Sequence, residues 1–154
     1  MISKIKLLSL AVLLLSLGLS TKIMAQSAKP TINHIAICAQ NLEKSTKFYT
    51  EVMQFEIVPN PFNDKVHQWI KIGPLVNLHI IEGDCKGNPH NRNDHLAFSV
   101  ASMPDFVKHL DKLNVTYGDW GGTNKKIQKR PDGISQIYFQ DPDGYWIEVN
   151  NADK

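Results

Sequence analysis

The sequence predicts an α+β fold made of two βαβββ modules, and three observations support this prediction. A short pattern occurs twice, as Asn33-His34-Ile35-Ala36-Ile37 and, 61 residues later, as Asp94-His95-Leu96-Ala97-Phe98. Each copy begins a strand that runs into a predicted helix. Each helix is then followed by further short runs of β-branched and aromatic residues. The order of elements is therefore the same in both halves of the chain.

The first module spans about residues 30–85. Apolar residues of both parities predict a strand over 31–39, as expected when both faces of a strand are covered. Asn41 is placed to cap a helix that runs to about Met53, because its side chain can accept an amide hydrogen bond. Turn-forming prolines and glycine then separate three further predicted strands, over 55–58, 67–72 and 76–82.

The second module spans about residues 92–151. Ser102 and Asp105 resemble a capping box, and Pro104 lies in the first turn, where its missing amide hydrogen does no harm. The segment Asp141-Pro142-Asp143-Gly144 predicts a hairpin turn between the last two strands. The predicted elements are a strand over 94–100, a helix over 102–113, a weak strand over 115–117, and strands over 134–140 and 145–150.

The N-terminal segment has the pattern of a secretory signal peptide over residues 1–25. Lys4 and Lys6 precede an apolar run from Leu7 to Leu19, and Ala25 gives a small residue at a plausible cleavage point. The run is shorter than the roughly 20 apolar residues that span a bilayer, which argues against a retained membrane anchor. We therefore expect an exported protein, periplasmic or secreted, whose single domain covers residues 26–154 and is free of the membrane after cleavage.

The charge balance changes once this segment is set aside. The full chain has 17 basic and 15 acidic side chains. Residues 1–25 contain three lysines and no acids, so 17 − 3 = 14 basic side chains face 15 acidic ones in the rest. A formal charge of −1 gives no basis for a nucleic-acid partner.

Cys38 and Cys85 both lie outside the predicted signal peptide. An oxidising compartment favours a disulfide between two such cysteines. The alternative is a pair of buried thiols that act as small apolar residues. The sequence leaves both outcomes open.

The repeated pattern also predicts a metal site. Because successive strand residues point to opposite faces, His34 shares its face with Ala36, and His95 shares its face with Ala97. His79 and Glu148 lie at the centre of later strands in the two modules. Imidazoles and a carboxylate gathered in a partly buried site are costly to desolvate unless they are paired or bound to metal. Three nitrogens and one carboxylate suit Zn, Fe, Ni, Co or Mn rather than Ca.

At these residues the chain resembles the vicinal oxygen chelate superfamily, which includes glyoxalase I, extradiol dioxygenases, methylmalonyl-CoA epimerase and the fosfomycin and bleomycin resistance proteins. The similar segments are His34-Ile35-Ala36, Asn41-Leu42-Glu43-Lys44-Ser45 and Phe139-Gln140-Asp141-Pro142-Asp143-Gly144-Tyr145-Trp146-Ile147-Glu148. The resemblance implies a curled, cup-like mixed sheet around a divalent metal, with ligands at His34, His79, His95 and Glu148. It also implies a small-molecule substrate, with a homodimer as one expected assembly. One departure is His79, whose position holds Glu or Gln in glyoxalase-type and epimerase members.

The same resemblance implies further site residues. Tyr138 lies ten residues before Glu148, where the fosfomycin-resistance proteins place an active-site tyrosine, so Glu148 and Tyr138 are the candidate catalytic residues. Lys129 and Arg130 belong to a basic segment near the place where related proteins hold an anionic substrate. The simpler explanations are an ordinary strand aromatic for Tyr138 and solvated surface charge for the basic segment.

These observations lead to one main hypothesis and two alternatives. The main hypothesis is an exported, divalent-metal-dependent enzyme, of the lyase, isomerase or dioxygenase type, that acts on a small oxygen-bearing molecule bound to the metal. The first alternative is a non-catalytic protein that sequesters a small molecule, as the bleomycin-resistance proteins do. The second is a structural zinc domain with a closed four-coordinate site.

Overall fold

Each module folds into a four-stranded mixed sheet with its helix packed on one face. The computed structural model describes residues 29–87 and 90–152, so the predicted signal peptide at 1–25 lies outside the described residues. The first module contains β1 (His34–Ala39), α1 (Leu42–Lys47), a π-helical segment (Phe48–Val52), β2 (Glu56–Val58), β3 (His67–Lys71) and β4 (Asn77–Glu82). The second contains β5 (His95–Ser99), α2 (Met103–Lys112), β6 (Gln128–Lys129), β7 (Ser135–Gln140) and β8 (Trp146–Asn150).

The two sheets have the same topology. The strand order is β1-β4-β3-β2 in the first sheet and β5-β8-β7-β6 in the second. In each module the first strand runs parallel to the last, and the remaining pairs are antiparallel. This arrangement confirms the predicted α+β fold of two βαβββ modules.

Both predicted helix caps form. The Asn41 side chain accepts a hydrogen bond from the Lys44 amide at 2.8 Å, and the Ser102 hydroxyl accepts one from the Asp105 amide at 3.3 Å. These bonds satisfy amide donors that have no partner inside a first helical turn. The first helix continues to Val52, but its last five residues are π-helical.

The predicted weak strand over 115–117 is wrong. The Val115 amide donates to the Leu110 carbonyl, so the start of this segment closes the end of α2 instead of joining a ladder. The next residue, Gly118, forms isolated bridges to Asn124 and to Tyr138. The fourth strand of this sheet is β6, which lies inside the segment interpreted from sequence as a basic loop.

The helices and the sheet faces that carry them form an apolar core. Leu78 and Ile80 of β4 are completely buried, as are Ile147 and Val149 of β8. Tyr49 links the modules across this core, because its hydroxyl donates to Asp141 at 2.8 Å. We call the opposite side of each sheet its helix-free face. The described residues include no helix that is long and apolar enough to cross a membrane.

The two cysteines form a disulfide. Cys38 of β1 is bonded to Cys85, just beyond β4, with a Cα–Cα distance of 5.9 Å. The bond closes a loop with a sequence separation of 47 residues. It therefore ties the edge of the first sheet to the segment that leads into the second module.

Opening this disulfide should destabilise the domain. A closed loop of this length restricts the unfolded chain by about 4 kcal/mol in the chain-entropy model. We expect reductant to lower the urea midpoint of the wild-type protein, and a Cys38→Ser/Cys85→Ser double variant to show the lowered midpoint with or without reductant. Equal midpoints for oxidised wild type and the double variant would contradict a stabilising role.

Candidate metal centre

Strand pairing places the four predicted ligands at equivalent positions on the helix-free faces. In the first sheet His79 lies beside Ala36, two residues along from His34. In the second sheet Glu148 lies beside Ala97, two residues along from His95. The two modules thus present their ligand-type side chains with the same offset, next to a residue too small to cover them.

Glu148 is the centre of a polar cluster in the second sheet. It is 6% exposed, and its Oε2 accepts a hydrogen bond from the Tyr138 hydroxyl at 2.6 Å. The Asn150 amide donates to Oε1 at 2.7 Å, and Arg130 Nη1 lies 4.0 Å from the same oxygen. Buried carboxylates are retained in proteins when such donors satisfy their oxygens.

His95 faces this carboxylate through Nε2. Its Nε2 lies 3.3 Å from Glu148 Oε2. Its Nδ1 lies 2.8 Å from the Arg92 carbonyl oxygen, which can only accept, so Nδ1 carries a proton. In the neutral imidazole the Nε2 lone pair therefore points toward a carboxylate. Two acceptors at this distance attract each other only with a proton or a cation between them.

The first sheet carries a second pair, His34 and His79. Their ring centroids are 5.9 Å apart. His34 Nδ1 lies 2.8 Å from Asn33 Oδ1, which again leaves Nε2 available. His79 is buried and stacks on Trp69 at 4.2 Å, and its Nε2 has no hydrogen-bond partner among the described residues. Burial, followed by the charges of His67 and His34, lowers the pKa of His79, which favours the neutral ring that binds metal.

The structure brings these side chains together as two pairs. Within residues 29–87 and 90–152, no group of three or more His, Cys, Asp or Glu side chains is close enough to hold a metal. The donor set nevertheless fits a divalent transition metal. Two imidazoles have their tautomer set by hydrogen bonds at Nδ1, the third has an orphaned buried nitrogen, and the carboxylate is already held by neighbours.

Tyr138 is held in its neutral form. Burial raises its pKa, and the hydrogen bond to Glu148 and the charge of that carboxylate raise it further. It lies directly across from Glu148 in the β7–β8 pairing, at the position that Trp69 occupies beside His79 in the first sheet. The hydroxyl is therefore a permanent donor to the Glu148 carboxylate over the physiological pH range.

The basic segment is largely neutralised by acids. Lys125 pairs with Asp111 at 2.8 Å, and Lys126 pairs with Asp119 at 2.9 Å. Arg130 pairs with Asp132 at 2.6 Å and also approaches Glu148. Lys129 is exposed in β6. Substrate binding by Lys129 and Arg130 stays a prediction.

Two residues near these pairs were not identified from the sequence. His67 lies beside His79, with ring centroids 5.1 Å apart, and its Nδ1 is 2.7 Å from Asp64 Oδ2. His67 precedes Trp69 by two residues in β3, so strand alternation places both on the same face, and this pattern could have identified His67 from the sequence. Arg92 contacts His95 through its carbonyl, and a single arginine in a loop carried no such signal.

Two βαβββ modules with imidazole and carboxylate side chains at matched strand positions define a glyoxalase-like protein. A family model described as Glyoxalase/Bleomycin resistance protein/Dioxygenase superfamily matches residues 31–149, and the chain belongs to this superfamily. Members of the superfamily generally use divalent metals and bind small molecules.

Individual relatives are distant. The chain is 22% identical over 132 residues to Glyoxylase I 4 of Arabidopsis thaliana, covering 80% of this chain and 71% of that protein. It is 26% identical over 167 residues to lactoylglutathione lyase of Pseudomonas putida, covering 86% and 91%. Among solved structures, Oxidase ChaP-H2 matches with a TM-score of 0.67 at 21% identity, covering 80% of this chain and 94% of that one, which shows a shared fold.

Ionisation of Tyr138 provides a test of this geometry. Because its folded pKa is raised, the folded state keeps a proton that the unfolded state releases near pH 10. The resulting stability is present below about pH 10 and is lost as the pH rises further. Subtracting the ultraviolet titration of Tyr138→Phe from that of the wild type isolates the signal of Tyr138. We expect this signal to show no ionisation near pH 10. In Glu148→Gln the ionisation of Tyr138 should move to lower pH. Ionisation of Tyr138 near pH 10 in the wild-type protein would contradict its burial against Glu148.

Proposed function

We propose that this protein is an exported, divalent-metal-dependent enzyme that acts on a small oxygen-bearing molecule. His34, His79, His95 and Glu148 would hold the metal. The observation that carries the proposal is the 3.3 Å approach of His95 Nε2 to Glu148 Oε2, with the proton of His95 on the opposite nitrogen. The matched His34–His79 pair, with its orphaned nitrogen, supports it.

The bound metal would supply Lewis acidity to a substrate oxygen. The residues of the chain would do the remaining work. Tyr138, neutral and hydrogen-bonded, orients Glu148 by donating its one hydroxyl proton to that carboxylate. Arg130 and Asn150 hold the other carboxylate oxygen. Trp69 and Tyr138 would form aromatic walls, one on each sheet.

Export is part of the proposal. The predicted signal peptide at residues 1–25 motivates it, and the Cys38–Cys85 disulfide supports it, since disulfides persist in oxidising compartments. An exported enzyme would not meet the cytosolic glutathione pool. We therefore do not extend a glutathione-dependent lyase activity from its relatives to this chain, and isomerase, lyase and ring-cleaving reactions on other substrates stay as candidates.

A second candidate is a non-catalytic protein that sequesters a small molecule. The separation of the four side chains into two pairs favours it, because a binding protein needs a cavity and no complete metal site. A cavity of about 320 Å³ beside Tyr138 is within the usual size range of small-molecule sites. A stoichiometric ligand recovered unchanged from the metal-loaded protein would favour this candidate.

Metal content tests the proposal directly. Elemental analysis of the purified protein should find a divalent transition metal, and chelation should remove it together with any activity. His95→Ala and Glu148→Gln should each weaken metal binding by more than the roughly 10- to 100-fold loss expected for an outer partner. His109→Gln is the matched control, because His109 bonds the Glu51 carbonyl away from both pairs. Equal metal content in all four proteins would refute the metal site.

We further propose that a second copy of the chain completes the site. Each chain presents the two ligand pairs without assembling them, and Phe62 extends from the first pair into solvent with 55% exposure while packing on His79. In such a dimer the partner's His95 and the partner's Glu148 would complete the site begun by His34 and His79. Exposed apolar surface at the edge of a site is typical of such contacts.

Complementation tests this assembly. A His34→Ala/His79→Ala variant and a His95→Ala/Glu148→Ala variant should each fail to bind metal. When they are co-expressed with different tags and purified through both, the mixed dimer should contain one intact site and hold about half the wild-type metal per chain, because the intact halves come from different chains. A mixed dimer without metal, or a wild-type protein that binds metal as a monomer, would show that one chain assembles the site alone.

A further inference from the structure

Arg92 is a cation near the proposed site that has no acidic partner within the described residues. It lies in the loop before β5, and its guanidinium carbon stands 4.0 Å from the ring centroid of Trp146. Nη1 donates to the main-chain carbonyl of Trp120. Nε is buried and has no hydrogen-bond partner in the part of the chain that the structure describes. An arginine so placed has a donor that the protein leaves unused.

These contacts leave one edge of the guanidinium without an acceptor among the described residues, although Nε itself is shielded from solvent. Its face is occupied by the Trp146 ring and one nitrogen by the Trp120 carbonyl, so Nε–H and one Nη2–H remain side by side. Two parallel N–H groups match the two oxygens of a carboxylate. A purely structural arginine would need only the contacts already made.

The surroundings of Arg92 form a cavity with aromatic walls. Arg92, Tyr138 and Trp146 line the cavity of about 320 Å³, and Arg92, Trp120 and Trp146 line a wider opening of about 540 Å³. Trp120 also meets the Tyr138 ring edge to face, with centroids 5.3 Å apart. Asp119, an acidic residue in the cavity wall, is already paired with Lys126. The cavity therefore combines flat apolar surfaces with an uncompensated positive charge.

The position of Arg92 connects this cavity to the proposed metal ligands. Its carbonyl holds Nδ1 of His95, while Trp146 lies beside His95 in the β5–β8 pairing and on the same face as Glu148. A molecule bound to the guanidinium would thus extend along the helix-free face toward Glu148 and the Tyr138 hydroxyl.

We propose that Arg92, Trp120 and Trp146 form a subsite for the carboxylate of a small planar molecule. This inference rests on the proposed function, because it names the substrate class of the same site. The carboxylate would bind bidentately to Nε–H and Nη2–H of Arg92, after a side-chain movement that exposes the buried Nε. The planar body would lie between the indole rings and Tyr138. Binding would satisfy the orphaned Nε and neutralise the cation, and the rest of the molecule would be held near the metal-facing carboxylate.

The test uses benzoate as probe, with benzamide as its neutral isostere and inorganic phosphate as a non-planar oxyanion. Protein with ¹⁵N-labelled arginine is titrated with each probe, and the Nε–H signal of Arg92 is followed by nuclear magnetic resonance. We expect benzoate to shift this signal saturably. Benzamide and phosphate should bind at least tenfold more weakly. If benzamide bound as tightly as benzoate, the subsite would not recognise the carboxylate. If phosphate bound more tightly than benzoate, the subsite would not select a planar molecule.

Substitutions of Arg92 separate the effect of its paired N–H donors from the effect of its charge. Arg92→Lys keeps the charge but loses the paired donors, so it should weaken benzoate binding at least tenfold. Arg92→Met loses both and should also weaken binding at least tenfold. Benzoate binding to both variants is followed by quenching of tryptophan fluorescence. Lys108→Met removes a matched positive charge from an exposed position on α2 and should leave binding unchanged. Wild-type affinity in Arg92→Lys would overturn the bidentate subsite. Circular dichroism of each variant checks folding, and the probe series on wild type stands independently of the variants.

The same titrations on metal-loaded and chelator-treated protein distinguish this inference from the proposed function. Benzoate bound through Arg92 in protein that never takes up metal would refute the metal enzyme while supporting the subsite. Metal uptake with no benzoate response at Arg92 would refute the subsite while leaving the metal enzyme supported. Benzoate binding that disappears on chelation and is insensitive to Arg92→Lys would mean that the probe binds the metal, which also overturns the subsite.

Discussion

The parallel pairing of the first and last strand in each module is the constraint on which the site depends. It places His79 two residues along from His34, and Glu148 two residues along from His95, on the same face of their sheets. A slip of one residue would turn each later ligand into the apolar core and move a core residue such as Ile80 to the helix-free face. The core therefore enforces the geometry of the ligands.

The two faces of each sheet bury different kinds of side chain, aliphatic on the helix side and polar on the helix-free face. On the helix side, completely buried aliphatic side chains provide the hydrophobic stabilisation that fixes the register. On the other side, Glu148 is also buried, which is favourable only because Tyr138 and Asn150 donate to its two oxygens. His79 lacks such a partner at Nε2 among the described residues. The buried carboxylate of the second sheet is therefore satisfied by its neighbours, whereas the buried imidazole of the first sheet is not.

Contacts between the modules and the disulfide hold the sheets in place around these pairs. Tyr49 reaches from the first helix to Asp141, at the turn before β8, and burial of this pair raises the pKa values of both groups. The Tyr145 hydroxyl accepts a hydrogen bond from the Cys38 amide at the free edge of β1. The turn that leads into the Glu148 strand is thus attached to the opposite module.

Local pattern was sufficient to predict the two modules, both helix caps and the face of every candidate ligand. Strand alternation and capping depend on a few neighbouring residues, so these features can be read from the sequence itself. The strand predicted over 115–117 was wrong because a tertiary contact, the closure of α2 by the Val115 amide, replaced its local preference. The Cys38–Cys85 bond, the pairing of Lys125 and Lys126 with acids, and the contact of Arg92 with Trp146 were decided only by tertiary structure. Each of these joins segments whose meeting depends on how whole sheets and loops pack, and alternation along one strand carries no information about that packing.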